Sequence, residues 1–325
     1  MNIAGLSVQE IAEQIINGYR LTRKDDLSFL LTASLKDLEE AAGKIQEKYR
    51  QNHVELCTII NGKSGRCPEN CKYCAQSAHH KTPCEIYDFL PKEEIVSQAQ
   101  ANETAGVNRV AIVTAGRSLT GADFEKAIEC YKEMRATTKL GLCASMGLIS
   151  HEQFQRLVDV GVTRYHNNLE TSRRNFPNIC TTHTFDQKVA TIKAAQAAGL
   201  TVCSGGILGM GETFEDRIDM ALELSELDIK SIPINFLIPI PGTPLENQKQ
   251  ISADEAMRSI AIFRFINPEA NIRLAAGRKI LPGFGSLAFK SGASATITGD
   301  MLTTSGTTIK GDLQILADNG QTNKD

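Results

Sequence analysis

From residue 54 onward the chain alternates short β-branched runs with amphipathic stretches, and the alternation repeats eight times. Strands are expected at 54–60, 108–114, 139–145, 162–169, 200–206, 230–238, 270–276 and 293–298. Between them lie segments with apolar residues at helical spacing, among them EEIVSQAQANETAG, FEKAIECYKEMR, FDQKVATIKAAQAAG and DEAMRSIAIFRFI. Gly106, Gly161 and Gly199 stand just ahead of strands, where a glycine commonly closes a helix. Upstream, 7–17 and 35–52 read as helices, and Leu35, Leu38 and Ile45 of the second face the base of the core. Eight strand–helix units in roughly 250 residues predict an α/β fold, a closed (β/α)8 barrel of TIM type with an N-terminal helical extension. A doubly wound open sheet is the alternative, but its glycine-rich first turn is missing. The expected division is 1–53 for the leading helices, 54–305 for the barrel and 306–325 for a C-terminal tail.

In a barrel, strand side chains alternate between the interior and the helices, and chemistry collects at the C-terminal strand ends. Val54, Leu56, Val110, Ile112, Leu140, Leu142, Val202, Ile234, Phe236, Ile272 and Leu274 then face the helices. The interior receives Cys57, Arg109, Ala111, Gly141, Cys143, Ser145, Cys203, Asn235 and Arg273, and the fourth strand turns His166, Asn168 and Glu170 to one face. Buried guanidinium groups need anionic partners. Structural ion pairs with carboxylates would serve, but with three inward cysteines beside Arg109 and Arg273 a thiolate-bound cluster is the favoured partner.

Residues 61–79, NGKSGRCPENCKYCAQSAH, add the most specific chemistry. Cys67, Cys71 and Cys74 form a CxxxCxxC spacing, with Tyr73 just before the third cysteine. Three thiolates on one loop suit three irons of a cubane cluster and leave the fourth iron open. Structural zinc usually takes two CxxC-type pairs and a closed shell of four ligands, a pattern this loop lacks. Cys84 and Cys130 read as bystanders, and His79, His80 and His183 as loop residues without a metal.

The net charge of −3 and the absence of a basic tract give no case for nucleic acid. No stretch approaches the roughly 20 apolar residues that a membrane span requires. Nine cysteines without an export signal point to reduced thiols and hence to the cytoplasm.

The cysteine loop resembles that of the radical S-adenosylmethionine (radical SAM) enzymes. GRCPENCKYCAQSAHHKT, VCSGGILGMGE, SIPINFLIPIPGTPL and IRLAAGR, in this order, resemble the biotin synthase family over about residues 35–305. The resemblance implies a [4Fe-4S] cluster on Cys67, Cys71 and Cys74 that binds and reduces S-adenosylmethionine. It further implies a 5′-deoxyadenosyl radical abstracting hydrogens from dethiobiotin, and a deeper auxiliary iron–sulfur cluster supplying sulfur to form biotin. By motif, Tyr73, Asn168, Glu170, Lys188 and Gly209 are expected near the cofactor, and Asn168, Asn235, Thr303 and Thr304 near the substrate. Lys188 stands where many members carry an arginine, and Gly209 opens the GMGE turn. Cys143, Cys203 and Arg273 match three of the four auxiliary ligands of the family's best-known form, a [2Fe-2S] unit; Ala111 stands in place of the remaining cysteine. Cys57 and Cys180 are the candidate replacements, and four cysteines (57, 143, 180 and 203) favour a four-iron auxiliary cluster. Arg273 is expected to stabilise the anionic sulfur. The family also implies a flavodoxin or ferredoxin electron donor and a homodimer. A related radical SAM mutase or hydrogenase-maturation enzyme, without sulfur insertion, is the alternative, as is a non-enzymatic iron–sulfur scaffold.

Overall fold

The computed structural model describes residues 3, 5–303 and 306–324. Its strands are β1 (Glu55–Lys63), β2 (Arg109–Thr114), β3 (Gly141–Ser145), β4 (Val162–His166), β5 (Thr201–Cys203), β6 (Gly206–Leu208), β7 (Ser231–Phe236), β8 (Asn271–Leu274) and β9 (Ala295–Ile297). Neighbours pair in parallel in the order β5-β4-β3-β2-β1-β9-β8-β7-β6, and Cys203 of β5 also meets Ser231 of β7. β5 and β6 are the two halves of one interrupted strand, so the ring closes with eight members. The expected barrel is present, with all eight strands in the expected order.

Parallel strands covered by helices are buried on both faces, which explains their apolar, β-branched composition. Leu56, Val110, Ile112, Ile232 and Ile272 are completely buried between the ring and its helices. Several surrounding helices begin where the sequence writes a capping box: Ser150 with Gln153, Thr184 with Gln187, Thr213 with Asp216 and Ser252 with Glu255. The N-terminal helix Leu35–Arg50 buries Leu38, Ala41, Ala42 and Ile45. Its Gln46 donates to the Phe289 carbonyl at 2.7 Å and accepts from the Gly292 amide at 2.8 Å, fixing the helix to the segment before β9.

The segment read as a tail carries a helix, Ile309–Asp318. Its Asp312 pairs with Arg278 at 2.9 Å, both side chains being buried. After that helix, the Val54 amide donates to the Thr322 carbonyl at 2.8 Å, and Asn323 donates to the Gly106 carbonyl at 2.6 Å. The segment after this helix therefore meets the chain just ahead of β1 and β2, at the bottom of the barrel. No helix among the described residues is long and apolar enough to cross a membrane.

The break between β5 and β6 is where the fold serves the site. Ser204 and Gly205 carry the strand past Pro233, and a Cβ on Gly205 would lie 2.0 Å from the Pro233 carbonyl oxygen. At Gly206 a Cβ would lie 2.3 Å from the Glu170 carbonyl oxygen. That closeness lets Glu170, at φ 72°, lie against β6: its amide donates to Gly205 at 3.0 Å and its carbonyl accepts from Ile207 at 2.8 Å. Overpacking here displaces backbone, so Gly206→Ala should destabilise the chain by about 1–3 kcal/mol. Denaturant unfolding checks this; an unchanged midpoint would contradict the close approach.

Candidate active site

A cavity of about 380 Å³ opens at the C-terminal strand ends and runs down the barrel interior. The cysteine loop stands at its mouth. The Cys67 amide donates to the Gln76 carbonyl at 3.0 Å, the Ala78 amide to the Cys67 carbonyl at 2.8 Å and the Cys74 amide to the Cys71 carbonyl at 3.0 Å, so the loop folds back on itself. Cys67, Tyr73 and Cys74 line the cavity. Cys71 is not part of the lining; it lies beside Cys180, with Cys74 and Glu170 also close enough to act on its thiol. Burial pushes the Tyr73 phenol and the Cys74 thiol up, the latter to about 11, and the nearby Glu170 carboxylate adds to both shifts.

Cys57, Cys143, Cys203 and Arg273 all line the same cavity at depth, as do Ala111, Ser145, His166 and Asn235. Arg109 reaches this group from β2, its Nε donating to Cys143 Sγ at 3.3 Å. The neighbouring Cys57 thiol pulls the Cys143 thiol down, helped by Arg109 and Arg164 against the opposing effect of burial. The same proximity, with burial, pushes Cys57 up. Burial brings His166 down to about 4, leaving it neutral at physiological pH.

The buried arginines have a partner other than the one favoured above. Glu55, inward on β1, takes a two-pronged contact from Arg164 at 2.6 and 3.2 Å and a further ion pair from Arg273. Arg273 also donates to Ser231 Oγ at 3.3 Å and to the Thr296 carbonyl at 3.0 Å. A structural carboxylate therefore partners Arg273 and is shared with Arg164. Neither Glu55 nor Arg164 was among the expected site residues. Both lie two positions before residues that were, Cys57 and His166, so extending the alternation by one step on β1 and β4 finds them. Arg164 Nε is buried without a hydrogen-bond partner beside Cys143 and Cys203. This unmet donor beside two of the three thiols that line the lower cavity fits an anionic iron–sulfur group there.

Other expected residues divide. Asn168 and Glu170 line the cavity, but beyond the end of β4; Asn168 Oδ1 accepts from the Gly205 amide at 3.0 Å and its Nδ2 donates to Glu170 at 3.3 Å. Asn235 faces the cavity while tying β7 to both neighbours, donating to Gly206 at 3.1 Å and accepting from Ala276 at 3.1 Å. Thr303 lines the rim with Met301 and Leu302, and Thr304 lies outside the described residues. Lys188 is half-buried in the helix Phe185–Ala197 and is not part of the lining, although His166 senses its charge. The amides of Gly209 and Met210 both donate to Glu212, at 2.7 Å each, and are thus occupied within the chain.

Cys180 is displaced from its expected place with the inner thiols. It follows the short helix Phe176–Ile179 and sits against Cys71, Asn70 and His183 at the outer side of the cysteine loop. The loop segment after β4 is stitched to residues 69–72 by backbone and side-chain hydrogen bonds, which holds Cys180 at the rim. His183, read as a loop residue, is buried beside Glu69.

Burial raises the pKa of Glu55, but Arg273 and Arg164 outweigh it and hold the carboxyl well below its ordinary value of 4.5. Glu55→Gln leaves two guanidinium groups without their anion and should cost about 3–5 kcal/mol at neutral pH. The stabilisation by Glu55 is present above its unfolded-state pKa and is lost as pH falls toward the depressed folded value. The difference between parent and variant should therefore narrow with acidification. Denaturant titrations at several pH values check this, and a difference that grows below pH about 4 would contradict it.

Two family models match the chain: that described as the radical SAM superfamily over residues 63–224, and that described as the biotin and thiamin synthesis associated domain over residues 233–322. Biotin synthase of Clostridium beijerinckii is 59% identical over 299 residues, 92% of this chain and 95% of that protein. Biotin synthase of Alkaliphilus metalliredigens is 53% identical over 315 residues, 97% of this chain and 99% of that protein. Among solved structures, methylornithine synthase superimposes with a TM-score of 0.83 at 21% identity, covering 97% of each chain, a likeness of fold. The chain belongs to the biotin synthase family of radical SAM proteins.

Proposed function

We propose that this protein is a biotin synthase, a radical SAM enzyme that inserts sulfur into dethiobiotin to give biotin. The observation that carries the reading is the stacking of two sulfur-rich layers in one cavity, Cys67 and Cys74 at the mouth and Cys57, Cys143 and Cys203 beneath, in a chain 59% identical to a biotin synthase. Cys67, Cys71 and Cys74 would hold the [4Fe-4S] cluster, and Cys57, Cys143 and Cys203 an auxiliary cluster. When bound, the loop cluster with S-adenosylmethionine supplies the carbon radical that abstracts hydrogen, and the auxiliary cluster supplies the sulfur.

The chain's own residues do the rest. Tyr73, Asn168 and Glu170 line the upper cavity where the cofactor is proposed to lie, and Asn235 and the Met301–Thr303 rim border the space left for dethiobiotin. Neutral His166 adds a polar contact without a charge between the layers. Arg109 on Cys143, together with Arg164 and Arg273, offers positive charge to an anionic sulfur in the lower cavity. Three inward thiols in place of the family's usual set, with Ala111 carrying only a methyl group, leave one iron position to a donor that is not cysteine. Without Cys180 the four-iron form no longer rests on four cysteines; it is favoured over an arginine-ligated two-iron unit because Arg273 is already engaged by Glu55, Ser231 and Thr296. A flavodoxin or ferredoxin donor and a homodimer complete the proposal. A rearrangement or maturation enzyme of the same fold would have no need of the inner thiol and arginine layer.

Anaerobic reconstitution with iron and sulfide, followed by turnover of dethiobiotin and S-adenosylmethionine, tests the reading. About eight irons per chain with biotin formed are expected, and about six would indicate a two-iron auxiliary cluster. Cofactor cleavage without biotin would overturn the assignment. Arg273→Leu should lower biotin yield about tenfold or more while cofactor cleavage persists, and unchanged yield would remove Arg273 from the chemistry.

A further inference from the structure

Cys180 and His183 lie outside the cavity that the proposed reaction uses, yet they are buried and aimed at Cys71. The Sγ atoms of Cys71 and Cys180 and a ring nitrogen of His183 lie within 4.8 Å of one another. Cys180 Sγ is 3.3 Å from His183 Nδ1. A tetrahedral ion with metal–sulfur and metal–nitrogen bonds near 2.3 and 2.0 Å needs a sulfur–nitrogen separation of about 3.5 Å, so the two donors already stand at nearly the required spacing.

The surroundings hold the three donors in place. Asn70 Oδ1 accepts from the amides of Thr181 at 3.0 Å and Thr182 at 3.3 Å, and the Lys72 amide donates to the Ile179 carbonyl at 3.0 Å. These bonds fasten the segment carrying Cys71 to the one carrying Cys180 and His183. The Phe176 ring packs edge-on against His183 with centroids 5.6 Å apart. The same His183 Nδ1 contacts Glu69, which also accepts from Thr182 Oγ1 at 2.7 Å; an ion on Nδ1 displaces that contact and leaves the carboxylate as an adjoining oxygen donor.

We infer that Cys71, Cys180 and His183 form a second metal site, for one divalent ion of the zinc or ferrous-iron class, filled when the loop cluster is absent. Two sulfurs and an imidazole are the donors that such ions select. Each thiol that ligates releases its proton to solvent as its metal–sulfur bond forms, and no redox change is involved. The cluster assignment of Cys71 rests on the proposed function. Given that assignment, the ion and the loop cluster are alternatives that share one thiolate.

The test uses the reduced, iron-free full chain carrying Cys67→Ser and Cys74→Ser, which removes the loop cluster but keeps all three proposed ligands. Titration with Co2+ should show one equivalent with thiolate-to-cobalt charge-transfer absorption, displaced by Zn2+. Adding Cys180→Ser should abolish that equivalent, while any cobalt on the inner thiols remains in both proteins. His183→Gln, a milder change, should weaken the same equivalent about tenfold or more. Far-UV circular dichroism melts confirm folding of each variant. Equal cobalt stoichiometry and affinity with and without Cys180, or unaltered affinity in His183→Gln, would overturn the site. Either result leaves the biotin synthase reading standing, because dethiobiotin turnover is measured separately.

Discussion

One buried carboxylate governs the lower half of the barrel. Glu55 binds Arg164 from β4 and Arg273 from β8, three strands that are not neighbours in the ring, and so ties its opposite walls together across the interior. Two guanidinium groups on one carboxylate leave a net positive charge there, to which Arg109 adds. Unopposed positive charge in a closed interior is costly, and it is offset when an anionic group occupies the same space. The thiols of Cys57, Cys143 and Cys203 line that space. The polarity of the floor thus favours anionic sulfur over an apolar filling.

The upper half obeys a different constraint, the close approach of backbones at the interrupted fifth strand. Where β5 and β6 part, Gly205 and Gly206 admit Pro233 and Glu170 to distances that a Cβ would forbid. That contact turns the chain after β4 so that Asn168 and Glu170 face the cavity beneath the cysteine loop. Charge below and close packing above define two layers within one cavity of about 380 Å³.

Much of this was legible in the sequence, and the physical reason is periodicity. Strand–helix alternation and capping boxes are local signals, and they located the barrel and its eight strands. Inward registers followed by counting in twos, which placed Cys57, Cys143, Cys203, Asn235 and Arg273 in the interior before any coordinates. What local pattern does not carry is pairing across the ring. Counting in twos turns Glu55 and Arg164 inward, but their meeting with each other and with Arg273 is set by the closed ring. Cys180 is the converse case. Its distance along the chain from the loop is no guide to space, and the stitching of residues 69–72 to 179–183 depends on Asn70, a residue with no motif of its own. The splitting of the fifth strand escaped for a similar reason, since its cause is the neighbouring Pro233 and Glu170 backbone.

The central claim is that the inner thiols hold an iron–sulfur cluster independently of the loop. Mössbauer spectroscopy of the chain carrying Cys67→Ala, Cys71→Ala and Cys74→Ala, reconstituted anaerobically with iron-57 and sulfide, tests it most directly. The account predicts a cluster spectrum that persists in this variant and disappears when Cys143→Ala and Cys203→Ala are added. A folded triple variant that takes up no iron would contradict it.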